Sequence, residues 1–520
     1  MDSSELSPKK RFRVPPAELF KIFLYWGVIV ILWVEFFPAF QHDRYARDIA
    51  FVFSFLAAWR YLWWFTHFVR ARIYQHWAYP RMRAQADEAW NAGWRPQRVC
   101  FMLSTYMEDP KTTELAIRSI INECLNAGVA ASLMIGTGDR FDEDVVEDVF
   151  SRYRGAVDIE TIFVRQTQPG KRVAIGLALR ALSRRRVHGD WPTVFMDGDT
   201  ILAPGCLQRC LPLFKALPDL DALTTDEVAI IRGHKWFQRW FDLRFAQRHM
   251  AMQSHALSRK VLTLTGRMSM FRTSRVLTEE FISTIELDQL DHWLWGRFRF
   301  LSGDDKSTWY VLMKQGAKMM YVPDALVYTI DRVDGPSLPR ILQNMIRWSG
   351  NMLRNGARVI ALGPRRVTPF IWWCLIDQRL AMWTCVVGPV AMIFAGLFVT
   401  RLAFLSYILW VLISRGTLAA ILFLYAGRVD MSFPLILYAN QLMSSILKIY
   451  IIFRLPLQRW TNRGNQSLNI HWTLSERLKR LMAQYLTWLY VTVFVLFVLT
   501  YAELVPMPHW ESIRAFFGWR

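Results

Sequence analysis

The feature that most constrains this chain is the placement of its long apolar runs. They cluster at the two ends and leave the middle without one. Residues 22–37 form an apolar run that extends to about 20 residues, roughly one bilayer crossing. Residues 49–69 form a second, rich in Phe and Trp. Near the other end, 381–400, 402–425 and 485–505 read as further spans. The run 431–453 carries Asn440, Gln441, Ser444, Ser445 and Lys448, which suits an interfacial position or a sixth span facing a polar channel. Lys9, Lys10, Arg11 and Arg13 precede the first run, and Arg70 and Arg72 follow the second. Cationic residues on both outer flanks put the N-terminus and the middle of the chain in the cytoplasm. The first run has no cleavage site after it and reads as a retained anchor. With 337–366 and 454–480 also basic, an even number of crossings fits between them, which favours about five spans in all.

Composition agrees with a membrane protein. Hydrophobic residues make up 53% of the 520 and charged residues only 20%, with 24 Trp and 35 Phe to anchor at interfaces. The formal charge of +20 raises the question of nucleic acid. The basic residues form neither one stripe nor a known nucleic-acid motif, so cytoplasmic loops and anionic ligands account for them better. The six cysteines, Cys100, Cys124, Cys206, Cys210, Cys374 and Cys385, include no CxxC pair. All six read as free thiols in a reducing compartment, with no zinc-binding spacing among them.

The middle of the chain alternates strand-like and helix-like runs, which predicts an α/β domain. VCFMLSTY (99–106), ASLMIGTG (131–138), TIFVRQT (161–167) and PTVFMDGD (192–199) read as buried strands. Between them, 111–128 and 173–185 have helical periodicity, the first ending at Gly128. The expected organisation is a membrane region with two spanning helices over 1–75, a globular domain over 76–335, interfacial helices over 336–380 and further membrane helices over 381–520. The segment 339–360 is amphipathic and basic, a pattern suited to a bilayer surface.

Three constellations carry candidate chemistry. Asp197-Gly198-Asp199 closes the apolar strand PTVF, and two carboxylates two residues apart there can approach one hard cation. Such a triplet is common in surface loops, but the end of a buried strand is where open α/β sheets bind ligands. Gly303-Asp304-Asp305-Lys306 is the second; Asp305 suits a base near an acceptor hydroxyl, and equally an N-cap of the helix-like 307–316. The third is Arg347-Trp348 with Gln343 upstream: an Arg offers planar donors to phosphate, and a Trp a flat face for a sugar ring. Trp460 and Arg463 repeat that composition. Lys171-Arg172 is a cationic pair able to neutralise a diphosphate.

These motifs, in this order, resemble the processive family 2 glycosyltransferases, the group of cellulose, chitin and hyaluronan synthases. The segments 244–252, 257–272, 300–309, 347–358, 377–384 and 448–461 are similar to the bacterial alginate polymerase (mannuronan synthase) branch. The resemblance implies a GT-A-type cytoplasmic domain inserted between transmembrane helices of a multi-pass bacterial inner-membrane protein. It implies Mg2+ or Mn2+ and a sugar diphosphate held by Asp197 and Asp199. It also implies Asp305 as general base with Asp304 beside it, and nucleotide contacts around Thr105, Tyr106, Glu108 and Lys171. Arg347 and Trp348 match an Arg-Trp pair of the family, although Gln343 lies one residue too far upstream for the usual spacing. Trp460 and Arg463 match residues near the channel entrance. The implied reaction is inverting polymerisation of mannuronate from GDP-mannuronate, with a growing polysaccharide crossing the lipid bilayer. A co-polymerase that binds cyclic di-GMP is the implied partner, and no nucleic acid is expected. A UDP-sugar synthase of a cellulose-, chitin- or hyaluronan-like polymer is the alternative. One departure bears on it: the second strand ends Ile135-Gly136-Thr137-Gly138, so Asp139 comes later than the uracil-reading Asp of many relatives.

Overall fold

The computed structural model describes residues 14–105, 108–153, 155, 158–166, 171–185, 187–189, 191–333, 335–460, 466–467 and 473–505. Its contacts divide the chain into two units. One comprises Met1–Lys10, Thr66–Asp377 and Leu455–His471, and the other Arg11–Phe65, Gln378–Arg454 and Trp472–Arg520.

The first unit is built on strands β1 (Arg98–Ser104), β2 (Ala130–Thr137), β3 (Ile159–Arg165), β4 (Pro192–Asp197), β5 (Thr200–Leu202), β6 (Ala222–Arg232) and β7 (Met268–Arg272). A small hairpin, β8 (Gln289–His292) and β9 (Gly296–Arg299), precedes β10 (Met319–Arg332). The main sheet runs β3-β2-β1-β4-β7-β6-β10-β5. Its first four strands are parallel, β7 is antiparallel to both neighbours, and β6 and β10 are parallel. This is the α/β architecture expected of a GT-A-type domain.

The parallel half follows from its sequence. β1 and β2 are mostly apolar and buried along nearly their whole length, as interior parallel strands are. The crossover helix Pro110–Ala127 begins with Asp109 accepting from the Thr112 N–H at 3.2 Å and a Pro at its first position. It ends at Gly128, whose φ of 62° suits the left-handed cap. Helix Lys171–Ser183 returns the chain from β3 to β4. Ser104 and Asp197 are register partners at the C-terminal ends of β1 and β4.

The helix Asp304–Lys314 is anchored by Trp309, which is fully buried and donates its Nε1–H to the Val261 carbonyl at 2.7 Å. Burying about 200 Å² of such a side chain stabilises by about 5 kcal/mol as an upper estimate. The helix Ser337–Ala361, expected to lie on a bilayer, packs against Asp304–Lys314 within this unit and buries Asn344, Asn351, Arg354 and Asn355. Its polar face is therefore an internal one.

In the second unit, helices Pro16–His42, Leu402–Ala426 and Leu474–Tyr501 are each long and apolar enough to cross a membrane, as is Pro369–Phe398, which begins in the first unit. These are the four such helices among the described residues. Residues 44–73 form one continuous helix and Phe433–Ile451 another. Polar pins hold the helices together: Tyr25 donates to the Leu412 carbonyl at 2.6 Å, and the Met431 N–H to Glu18 at 2.8 Å.

Candidate functional site

The C-terminal ends of β1 and β4 open into a small hollow lined by Ser104, Lys171, Gly266, Asp304, Asp305 and Thr308 among others. β4 stops at Asp197, a tight turn follows through Gly198 and Asp199, and β5 resumes. Gly198 is required there. A Cβ on it would stand 2.8 Å from the Ser104 carbonyl oxygen, which already accepts the Gly198 N–H at 3.1 Å.

Lys171, in the first turn of its helix, donates to Asp197 and reaches Asp304 at 3.0 Å. One ammonium thus ties the strand-end pair to the second acidic motif. Burial alone would disfavour the ammonium, but Asp197 and Asp304 hold it protonated well above the usual lysine range. Burial also opposes ionisation of Asp304, yet Lys171 and Arg172 keep its carboxyl below the ordinary range. Asp305 goes the other way: burial, with Asp304 beside it, pushes its carboxyl up. Two adjacent carboxylates are therefore separated in proton affinity, the arrangement that lets one stay ionised while the other exchanges a proton. Burial pushes Asp199 up to about 6, with Asp197 adding to the rise against Arg267 and Lys171.

Asp305 is not the N-cap that its sequence position allowed. Gly303 holds that place with φ of 86°, and Asp304 and Asp305 lie in the first helical turn. A Cβ at Gly303 would meet the Asn351 amide at 2.6 Å, so the turn is shaped by the helix Ser337–Ala361. The loop before it is pinned by Gln458, which accepts the Leu301 N–H at 3.0 Å and donates to the Arg299 carbonyl at 3.1 Å. Ser302 donates to Asn351 at 3.1 Å.

The cationic pair divides its labour. Lys171 faces the carboxylates, whereas Arg172 is buried and donates to the Ile285 carbonyl at 3.2 Å, the Ser302 carbonyl at 3.1 Å and Ser307 Oγ at 2.9 Å. Arg172 is thus engaged in holding the acidic loop.

Arg347 donates to Asn344 at 3.3 Å; burial disfavours its charge, while Asp305, Asp197 and Asp304 are near enough to support it. Trp348 lies parallel to Trp240, with ring centroids 5.8 Å apart at 8°, and the Arg244 guanidinium sits 4.7 Å from its ring. Thr105 is buried next to the Gly198 turn, and Glu108 lies three positions on, just before the helix Pro110–Ala127. Tyr106 and Arg463 lie outside the described residues. Trp460 pairs through its backbone with Gln466, and its side chain is likewise outside the description.

Sequence reasoning missed three contributors. Arg267 ion-pairs with buried Glu227 at 3.1 Å and is an electrostatic neighbour of Asp199 and Asp197. Glu227 also pairs with Arg248. Gly266 leaves the Asp197 oxygens open, since a Cβ there would stand 3.2 and 3.3 Å from them. The signal was present in the segment 257–272, but nothing local says that Gly266-Arg267 faces β4.

Comparison with known proteins agrees with this geometry. The family described as "Glycosyltransferase like family 2" matches residues 96–351. "Glycosyltransferase alg8" of Pseudomonas syringae pv. tomato is 35% identical over 449 residues, covering 86% of this chain and 90% of that protein. The Azotobacter vinelandii protein of the same name is 34% identical, covering 82% and 87%. An "N-acetylglucosaminyltransferase" of Rhizobium sp. is 25% identical over 51% of this chain and 55% of its own length. With a third of its residues identical to the alg8 proteins along nearly their whole length, this chain belongs to the alg8, or alginate polymerase, branch of the family 2 glycosyltransferases.

Proposed function

We propose that the chain polymerises mannuronate from GDP-mannuronate, by inverting transfer to the non-reducing end of a growing polysaccharide that crosses the bilayer as it lengthens. The observation that carries this reading is Lys171 bridging Asp197 and Asp304, with Asp305 beside them at one hollow. Asp305, pushed up by burial, is suited to take the proton of the attacking hydroxyl. In this reading Lys171 and Arg347 meet phosphate or carboxylate charge, and Trp348 packs against a sugar ring.

A divalent cation, Mg2+ or Mn2+, fits the residues present. Asp197 and Asp199 are oxygen donors at a strand end, burial beside a second carboxylate leaves Asp199 short of positive charge, and Gly266 leaves room at Asp197. Asp197 and Asp199 would hold the ion, which offsets charge on the departing GDP. Chelation with EDTA then abolishes polymer formation and Mn2+ or Mg2+ restores it.

Asp139 weakens a UDP-sugar reading and leaves room for guanine. It serves as the N-cap of the helix Arg140–Ser151, its carboxylate accepting the Asp142 N–H at 3.1 Å. We place the protein in the bacterial inner membrane with its catalytic unit cytoplasmic, and with a co-polymerase that binds cyclic di-GMP as its partner. Membranes supplied with each radiolabelled donor, with and without the co-polymerase and cyclic di-GMP, test the whole reading. Polymer from GDP-mannuronate is the expected result. Polymer only from UDP-glucose or UDP-N-acetylglucosamine would replace it with the UDP-sugar alternative.

A further inference from the structure

Away from the acidic hollow, three ligand-type side chains from distant parts of the chain converge. His67 comes from the helix Arg44–Ile73, His255 from the end of Lys235–Ala256 and Cys374 from the start of Pro369–Phe398. One ligand atom from each lies within 4.8 Å of the others. Cys374 Sγ stands 3.9 Å from His67 Nε2. The two imidazoles are perpendicular, with centroids 5.3 Å apart at 89°. We propose that His67, His255 and Cys374 form a zinc site, separate from the catalytic cation, that fastens these three segments together.

The dimensions suit the ion. With Zn–S near 2.3 Å and Zn–N near 2.0 Å, tetrahedral ligand atoms stand roughly 3.3–3.7 Å apart, so Cys374 and His67, at 3.9 Å, close by a few tenths of an ångström and the widest pair, within 4.8 Å, by up to about 1 Å. Two imidazoles and a thiolate form a borderline-soft set that selects zinc over Mg2+ or Mn2+, which prefer oxygen. His255 and Cys374 are 5% and 3% exposed. His255 Nδ1 has no hydrogen-bond partner, and a buried polar atom in that state calls for one.

Two acidic groups offset the charge of the dication. Cys374 loses its thiol proton to solvent as the S–Zn bond forms, supplying one negative charge. Buried Asp377, three residues along the same helix face, supplies another. Arg70, the nearby cation, is turned to the Ser254 carbonyl at 3.2 Å and Ser258 Oγ at 2.6 Å, and its guanidinium stacks 3.6 Å over Phe370. Three protein ligands leave the fourth position to water. His255 is an electrostatic neighbour of Lys306, which follows Asp305 in the first turn of the acidic helix.

The test uses the full chain purified in detergent without chelators. Elemental analysis is expected to give about one zinc per chain. Replacement by Co2+ should give a thiolate-to-cobalt charge-transfer band in the near ultraviolet and the visible bands of a tetrahedral ion. Cys374→Ser and His255→Gln should each lose the zinc and the ultraviolet band. Asp199→Asn should keep both, which separates this site from the catalytic cation. If a variant fails to fold, the wild-type cobalt spectrum decides alone. Absence of the thiolate band after Co2+ is added to wild-type protein overturns the proposal, as does zinc retained in full by Cys374→Ser.

Discussion

Replacing Gly198 by Ala tests whether the turn between the two strand-end carboxylates sets the rate. The added Cβ would lie 2.8 Å from the Ser104 carbonyl oxygen and 3.3 Å from both Cα and Cβ of Thr105. The obstacle is backbone in a buried parallel strand, so no side chain can swing aside. A comfortable contact needs about 3.5 Å. Relief therefore moves the Asp197–Asp199 turn away from β1 by about half an ångström, after sharing the shift with its neighbours. A 1 Å misplacement of a reacting group costs about 10²-fold, so half of that costs about tenfold, or about 1.4 kcal/mol of barrier. Overpacking removes a further ~1–3 kcal/mol of stability. The assay is the initial rate of polymer formation by the purified chain with Mn2+ titrated, alongside thermal unfolding in detergent. The turnover number should fall about ten- to a hundredfold, and more Mn2+ should be needed for half-maximal rate. Gly93→Ala is the control. Gly93 has φ of 87° and nothing within 4 Å of an added Cβ, so the variant should lose stability with turnover unchanged. Wild-type turnover and metal requirement in Gly198→Ala would refute the reasoning.

Asp305→Asn should lower turnover by about 10²–10⁴ while donor binding, measured by displacement, persists. Because burial and Asp304 raise the Asp305 carboxyl, and only its ionised form accepts a proton, the acid limb of turnover should lie above the ordinary carboxylate value of about 4. Activity rises with pH through that limb, and Asp304→Asn should move it to lower pH; an unmoved limb would remove Asp304 as its cause. Lys171→Met leaves Asp197 and Asp304 without their shared counter-charge. Since Asp197 is 30% exposed, the stability cost should be about 1–3 kcal/mol rather than the larger loss of a fully buried pair, with turnover down at least about tenfold. Lys171→Arg should recover part of the turnover. Arg172→Leu strips three buried acceptors of their donor, so the melting temperature should fall while the donor KM of the folded fraction changes little; a large KM change with normal stability would return Arg172 to the binding site.

Whatever is written in local pattern was legible in the sequence. The apolar ends, the four parallel strands with their crossover helices and the Asp197–Asp199 turn follow from period, caps and composition, because each is decided within about 20 residues of chain. β6, β7 and β10 were not legible. They are joined by long connections, β7 spans only Met268–Arg272, and β10 is irregular between Val322 and Leu326. Pairing across such distances is set by what is already folded beside them. Tertiary structure alone decided the rest of the site. It turned Lys171 toward two carboxylates and Arg172 onto the carbonyls of Ile285 and Ser302. It made Gly303 rather than Asp305 the helix cap, laid Trp348 along Trp240, and placed Arg267 by Asp199. The same holds for His67, His255 and Cys374, which no spacing rule connects. Residue types announce which chemistry a chain can perform, but which charges neutralise one another depends on distances of a few ångströms between segments hundreds of residues apart, and only the packed sheet and helices fix those.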